Sequence, residues 1–206
     1  MKLIKVCGMR EADNISSVEQ TGVDLIGFIF YSKSSRFVSI KPTYMPVNAK
    51  RVGVFVNADI KQISLIATEY GLDYIQLHGN ESPYFCREVK RTTGKSLIKA
   101  FSIAQTKDLA NVNSFADYCD YFLFDTKCTC FGGSGKAFDW SILDAYNGTT
   151  PFLLSGGICN KLIPDLKTFH HPCLAGYDLN SKYEISPALK DAAMINEFIK
   201  QMKNEE

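Results

Sequence analysis

The chain has 206 residues, 46% of them hydrophobic and 22% charged, with a formal net charge of +1. That apolar content is enough for one sizeable core and sets the expectation of a single domain over residues 1–206. The balanced charge, spread along the whole length, supplies neither a basic stripe for nucleic acid nor a polybasic anchor for a membrane, so small-molecule chemistry gains weight.

The first apolar stretch, Met1-Lys2-Leu3-Ile4-Lys5-Val6-Cys7, is too short for a signal peptide, and no later run approaches the roughly 20 apolar residues that span a bilayer. Seven cysteines, scattered and odd in number, leave at least one thiol unpaired even under oxidising conditions. A soluble protein in a reducing cytoplasm is expected.

Short apolar, β-branched or aromatic runs closed by polar residues or glycine recur at Leu3–Cys7, Leu25–Phe30, Val52–Val56, Tyr74–Leu77, Leu97–Phe101, Tyr121–Phe124, Phe152–Leu154 and Leu174–Tyr177. Runs that are continuous, not alternating, suit parallel strands buried on both faces, and parallel strands require crossovers, usually helical. Between Ile40 and Lys50, Pro42 and Pro46 leave room only for a short or distorted helix. Asp59–Tyr70 places Ile60, Ile63, Ala67 and Tyr70 on one helical face. Ser82-Pro83 is an N-cap followed by proline at the first helical position, and Asn147-Gly148 is a stop after Trp140–Tyr146. Pro187–Met202 reads as a last helix burying Leu189, Ala192, Ile195, Ile199 and Met202. Eight strand–helix units predict an α/β fold, a small single-domain (β/α)₈ barrel, with an open sheet of fewer strands as the alternative.

The distinctive polar residues follow the strand runs: Cys7-Gly8, Asn57, Gln76 and His78-Gly79, Asp125, Ser155-Gly156-Gly157, and Asp178 with Asn180-Ser181. A βα barrel brings all such strand ends to one face, where its chemistry lies. Gly156-Gly157 alone is a turn signal, but after the seventh strand, with Asp178-Leu179-Asn180-Ser181 after the eighth, it occupies the place where βα barrels hold a phosphate. Gly132-Gly133-Ser134-Gly135-Lys136-Ala137 lacks the spacing of a P-loop and reads as a loop closing over a small substrate, or as a plain connector. Cys128 and Cys130 raise the idea of a metal, but a structural zinc needs four ligands, and His170-His171 is the one other close pair. Cys86, Cys119, Cys159 and Cys173 read as small buried apolar residues. Cys7 differs, because Gly8 would leave its sulfur open to a ligand. Asp125 ends an apolar run, where helix capping and catalysis fit it equally.

Taken in order, Lys5-Val6-Cys7-Gly8-Met9-Arg10, Gly27-Phe28-Ile29-Phe30 with Ser34-Ser35-Arg36-Phe37-Val38, Gly53-Val54-Phe55-Val56-Asn57 and Gln76-Leu77-His78-Gly79 resemble the phosphoribosylanthranilate isomerases. So do Phe124-Asp125-Thr126, the segment Gly132 to Trp140, Leu154-Ser155-Gly156-Gly157 and Asp178-Leu179-Asn180-Ser181, so that the resemblance covers nearly the whole chain.

The resemblance implies an Amadori rearrangement in tryptophan biosynthesis: N-(5′-phosphoribosyl)anthranilate becomes 1-(2-carboxyphenylamino)-1-deoxyribulose 5-phosphate, with neither metal nor cofactor. It makes Cys7 the general base, Asp125 the general acid and Arg36 the partner of the anthranilate carboxylate, where an isolated Arg36 would read as a solvated loop cation. Gln76, His78, Gly156, Gly157, Asp178, Asn180 and Ser181 complete the expected substrate-binding set. The expected partner is this small phosphorylated molecule, with no nucleic acid and no membrane, for a monomer or homodimer. Another phosphosugar isomerase or epimerase, or a barrel that only binds a phosphorylated metabolite, is the alternative.

Two departures from the family pattern fall in the eighth loop. Ser181-Lys182-Tyr183-Glu184 stands for Ser-Gly-Val-Glu, and Pro187-Ala188-Leu189-Lys190-Asp191 for Pro-Gly-x-Lys-Asp. A side chain at 182 is costly where the backbone needs positive φ, so an ordinary negative-φ path is expected there.

Overall fold

A computed structural model describes residues 2–126 and 140–203. All eight expected strands are present: β1 (Leu3–Cys7), β2 (Leu25–Ile29), β3 (Lys50–Phe55), β4 (Tyr74–Leu77), β5 (Ser96–Ile103), β6 (Tyr121–Thr126), β7 (Phe152–Ser155) and β8 (Leu174–Leu179). They pair in parallel and in chain order, and β8 closes on β1 with Lys5 opposite Asp178. The open sheet is thereby excluded.

Two apolar clusters explain the closure. Leu25, Val52, Ile98, Ala100, Leu123 and Leu153 fill the lumen, with Leu3, Tyr74 and Tyr121 packed against them. The outer faces of the strands, including Ile4, Val6, Ile26, Phe28 and Phe124, join the residues of the surrounding helices in the larger core. Since side chains alternate along a strand, Leu3, Lys5 and Cys7 share the lumen face of β1, as Tyr74, Gln76 and His78 share one line from β4. Tyr121, Leu123 and Asp125 do the same on β6.

Four crossovers carry α-helices, α1 (Ala12–Glu19), α2 (Ile60–Glu69), α3 (Pro83–Thr93) and α4 (Ile163–Thr168), and α5 (Ala192–Lys203) follows the last barrel strand. The Asp59 side chain accepts from Gln62 N at the start of α2, and Ile63, Ala67 and Tyr70 are buried as their spacing requires. Ser82 caps α3, Pro83 opens it, and Gly94 at φ 63° ends it in the left-handed region. Between β5 and β6 the described chain makes two single 3₁₀ turns, and Trp140–Ala145 is likewise 3₁₀, not α.

Two crossovers differ from expectation. Residues 30–49 form no helix at all, since Pro42 and Pro46 remove amide donors and clash with preceding turns. The Glu19 carboxylate takes the place of helical hydrogen bonds: Oε1 accepts from Val47, Asn48 and Ala49 N at 2.8, 2.6 and 2.9 Å, and Oε2 from the Tyr44 hydroxyl. The last helix starts at Ala192, not Pro187, because residues 184–190 are diverted into a small antiparallel hairpin, β9 (Glu184–Ser186) and β10 (Leu189–Lys190). Asp191 then caps α5 by accepting from Met194 N at 3.0 Å. No helix among the described residues is long and apolar enough to cross a membrane.

Candidate active site

Cys7, His78 and Asp125 stand at the C-terminal ends of β1, β4 and β6, each two residues beyond a lumen-facing side chain, so strand alternation alone brings them to one rim. The layer beneath is polar and buried: Lys5 is 0%, Gln76 1% and Asp178 6% exposed. Below it lies the apolar plug. A cavity of about 470 Å³ at the opposite end, lined by Lys2, Leu3, Tyr121 and Leu174, is the barrel floor and holds none of the candidate residues.

Cys7 is only 4% exposed. The glycine that makes room for its sulfur is Gly27 of β2, where an added Cβ would lie 2.9 Å from Sγ, and not Gly8 as expected. Gly8, at φ +81°, instead admits Arg36 and Asn180, whose Cδ and Oδ1 would lie 2.6 and 3.0 Å from a Cβ there. Burial pushes the Cys7 thiol up; Lys5 pulls it down, Asp178 pushes it up and Lys190 pulls it down, and burial prevails.

Arg36 is not a solvated cation. Its Nε and Nη2 donate to Glu184 Oε1 and Oε2 at 2.7 and 2.5 Å, a two-pronged pair that leaves the Nη1 side of the guanidinium facing away from Glu184. Glu184 Oε1 also accepts from Lys190 Nζ at 2.6 Å, and Lys190 reaches Asn180 Oδ1 at 2.7 Å. Asn180, expected on the substrate, is thus tied to a buried lysine.

Asp125 is 37% exposed, and its Oδ2 lies 3.8 Å from His78 Nε2. That separation is too long for a hydrogen bond but within ion-pair reach of a protonated imidazole. Gln76 Nε2 sits 3.0 Å from His78 Nδ1. This contact with Nδ1 turns Nε2 of the ring toward Asp125. Behind this pair, buried Glu81 accepts from Asn57 N and Gly79 N, and Lys99 bridges Glu81 to the carbonyls of Leu77 and Gly79. A cleft of about 420 Å³ opens beside His78, lined also by Ser102 and Phe115.

At the end of β7, Gly156 and Gly157 have φ of +103° and +78°. An added Cβ at Gly156 would lie 1.5 Å from Thr126 O, so no other residue fits. Asp178 is engaged inward, accepting from Lys5 Nζ at 2.6 Å and Ser155 Oγ at 3.0 Å. Ser181 opens a single 3₁₀ turn, Ser181–Tyr183, and Lys182 follows the expected negative-φ path. Among the described non-glycine residues, φ is positive at Asn57 (51°) and at Ala188 (69°), one of the two positions where the family pattern has glycine.

Cys128, Cys130 and the loop Gly132 to Lys136 lie outside the described residues, as does any helix that Asp125 would cap. Among the described residues no group of three His, Cys, Asp or Glu could hold a metal; His171 is hydrogen-bonded to Tyr146 O and Cys173 N. Cys86 and Cys119 are buried and Cys159 and Cys173 half-buried.

The closed parallel barrel, with titratable side chains at its C-terminal rim and paired glycines after β7, defines a (β/α)₈-barrel protein. Residues 4–201 match the family profile described as N-(5′-phosphoribosyl)anthranilate (PRA) isomerase. The enzyme so named from Phocaeicola vulgatus is 53% identical over 98% of both chains. The crystal structure of phosphoribosyl anthranilate isomerase from Thermotoga maritima superposes with a TM-score of 0.82 at 30% identity, covering 99% of this chain and 100% of the other. A second crystal structure of such an isomerase, in complex with reduced 1-(o-carboxyphenylamino)-1-deoxyribulose 5-phosphate, gives 0.81 at 28% identity with the same coverage. The chain belongs to the phosphoribosylanthranilate isomerase family.

Four residues of this site escaped the sequence reading: Lys5, Gly27, Glu184 and Lys190. For Lys5 a signal existed, a lysine inside an apolar run two positions from Cys7. For Glu184 and Lys190 it lay in a segment read partly as helix.

Proposed function

We propose that this protein converts N-(5′-phosphoribosyl)anthranilate to 1-(2-carboxyphenylamino)-1-deoxyribulose 5-phosphate with Asp125 as acid and Cys7 as base. The observation that carries this is the placement of the two groups on lumen-facing rim positions of different strands, one open to solvent and one enclosed. Family membership supplies the substrate.

Protonation of the ribose ring oxygen by Asp125 breaks its bond to C1′ and leaves an iminium there. That cation acidifies the C2′ hydrogen, which Cys7 accepts as a proton; the resulting enaminol then tautomerises to the ketone, so the sum is an isomerisation. His78, directing its Nε2 at Asp125, is suited to return a proton to that carboxylate between turnovers. The enclosed sulfur has few water competitors.

The two substrate anions are assigned separate grips. Arg36 offers the Nη1 and Nη2 edge to the anthranilate carboxylate while Glu184 occupies the other edge. Gly156, Gly157 and Ser181 offer backbone N–H groups to the phosphate. Asp178 and Asn180 act behind the substrate, through Lys5 and Lys190. Gln76 acts through His78.

The test is loss of substrate fluorescence when freshly made phosphoribosylanthranilate is mixed with the purified protein. Enzymatic decay at a rate proportional to protein concentration is expected. Unchanged decay in the presence of folded protein would leave a barrel that only binds a phosphorylated metabolite.

A further inference from the structure

We infer that Lys5 is the positioning residue that lets Cys7 act as a base: its ammonium, locked in the lumen one layer beneath the cysteine, offsets part of the cost of forming a thiolate in that enclosed place. The inference rests on the reading of Cys7 as proton acceptor.

Lys5 and Cys7 are two residues apart on the same face of β1, which sets their side chains in adjacent layers of one lumen. Lys5 is wholly buried and donates to Asp178, its register neighbour on β8, at 2.6 Å. Asp178 is itself fixed by Ser155. An ammonium has three donors and Asp178 takes one, and the Cys7 sulfur lies within the reach of the others.

A buried ion pair is a poor device for stability, since desolvating the two ions offsets most of their attraction and an apolar pair of equal volume does as well or better. The neighbouring lumen layer is built that way, from Leu25, Val52, Ile98 and Leu123. A pair placed one layer under a candidate base points to chemistry instead.

Among the described residues, the charged groups that act on Cys7 are Lys5 of β1, Asp178 of β8, Lys190 of β10 and Arg36 of the chain between β2 and β3; Glu184 of β9 already balances the last two. Lys5 is the nearest of the cations in the chain and the strongest of those acting on the sulfur. Burial pushes Lys5 itself down, but Asp178 and then Cys7 push it up, to a net value above that of an ordinary lysine. It stays charged wherever the enzyme works.

The test uses the two halves of one ion pair. Lys5→Met and Asp178→Asn both break it, so a merely structural pair would lower stability in both variants and move the thiol alike or not at all. The pH dependence of Cys7 alkylation by iodoacetamide, followed on its own peptide by mass spectrometry, reads the thiol directly. In Lys5→Met the apparent thiol pKa is expected to rise by about 1–3 units, the effect of losing an adjacent opposite charge. In Asp178→Asn it is expected to fall. The alkaline-going limb of kcat/KM against pH should move with each.

Unchanged or same-direction shifts in the two folded variants would overturn the assignment. Should Lys5→Met fail to fold, Lys5→Gln takes its place: an upward shift supports the inference, and no shift or a downward one refutes it. The base reading fails separately, through near-parental turnover in Cys7→Ser.

Discussion

Two glutamates hold the two irregular crossovers, and they do so with different partners. At the N-terminal end of the barrel, Glu19 gathers three backbone N–H groups and the Tyr44 hydroxyl to tie down residues 30–49, a segment without helix. At the C-terminal end, Glu184 gathers Arg36, Lys190 and the Ala188 N–H to tie the β9–β10 hairpin to the rim. Neutral donors can only stabilise; cations can also be pointed at an anion. The same residue type therefore serves the fold at one end and the site at the other, in keeping with the division of labour between the two faces of βα barrels.

The largest effect that sharpens this contrast belongs to the rim. Asp125→Asn keeps the shape and removes the transferable proton, so kcat should fall by at least about a hundredfold while thermal stability stays within about 0.5 kcal/mol of the parent. A variant that kept its activity but melted early would make Asp125 a structural residue.

Glu19→Ala should show the reverse. Three amide donors lose their acceptor, which costs about 2–4 kcal/mol, or a fall in Tm of roughly 5–12 °C, with kcat/KM unchanged to within about twofold. Burial pushes the Glu19 carboxyl up, but the hydrogen bonds from Tyr44, Ala49, Asn48 and Val47 outweigh it and hold it below the usual carboxylate range. A depressed folded-state pKa means that its stabilisation is complete above the unfolded value of about 4.3 and is lost as pH falls through the folded one. Denaturant midpoints measured from pH 6 down to 3 should therefore decline less steeply in Glu19→Ala than in the parent.

Glu184→Gln tests the other glutamate. Burial raises its carboxyl as well, and Arg36 and Lys190 hold it down. With one charge removed Arg36 loses its seat, so KM should rise about tenfold, near the lower end of a charge-assisted hydrogen bond, with kcat much less affected. If stability fell and KM did not move, Glu184 would be a second Glu19. The smallest effect is expected at Ala188, buried at φ 69°: Ala188→Gly should stabilise the protein by about 0.5–1 kcal/mol, read as a small rise in denaturant midpoint. A loss of stability would mean that the Ala188 methyl packs better than its backbone suffers.

Much of the barrel could be read in advance, because eight continuous apolar runs admit few other arrangements, and Asp59, Ser82 and Pro83 announce their helices through local chemistry. Residues 184–190 could not, since apolar spacing there suits a helix and only tertiary pairing with Arg36 and Asn14 makes it a hairpin. The site divides in the same way. Cys7, Asp125 and His78 are visible as polar endings of apolar strands. Gly27 and Lys5 act through neighbours across the barrel, a relation that depends on register, and Gly8 was assigned the role that Gly27 performs. Lys182 follows the negative-φ path expected of it, and the positive φ falls at Ala188, the other position where the family pattern has glycine.

A proton transfer to the sulfur of Cys7 is tested most directly by the turnover of Cys7→Ser on phosphoribosylanthranilate, followed by fluorescence alongside the affinity for a reduced product analogue. A fall in kcat of about a hundredfold or more with unchanged affinity is expected, because a serine hydroxyl is a far weaker base at neutral pH. Turnover within a few-fold of the parent would contradict it and move the base to another group on the rim.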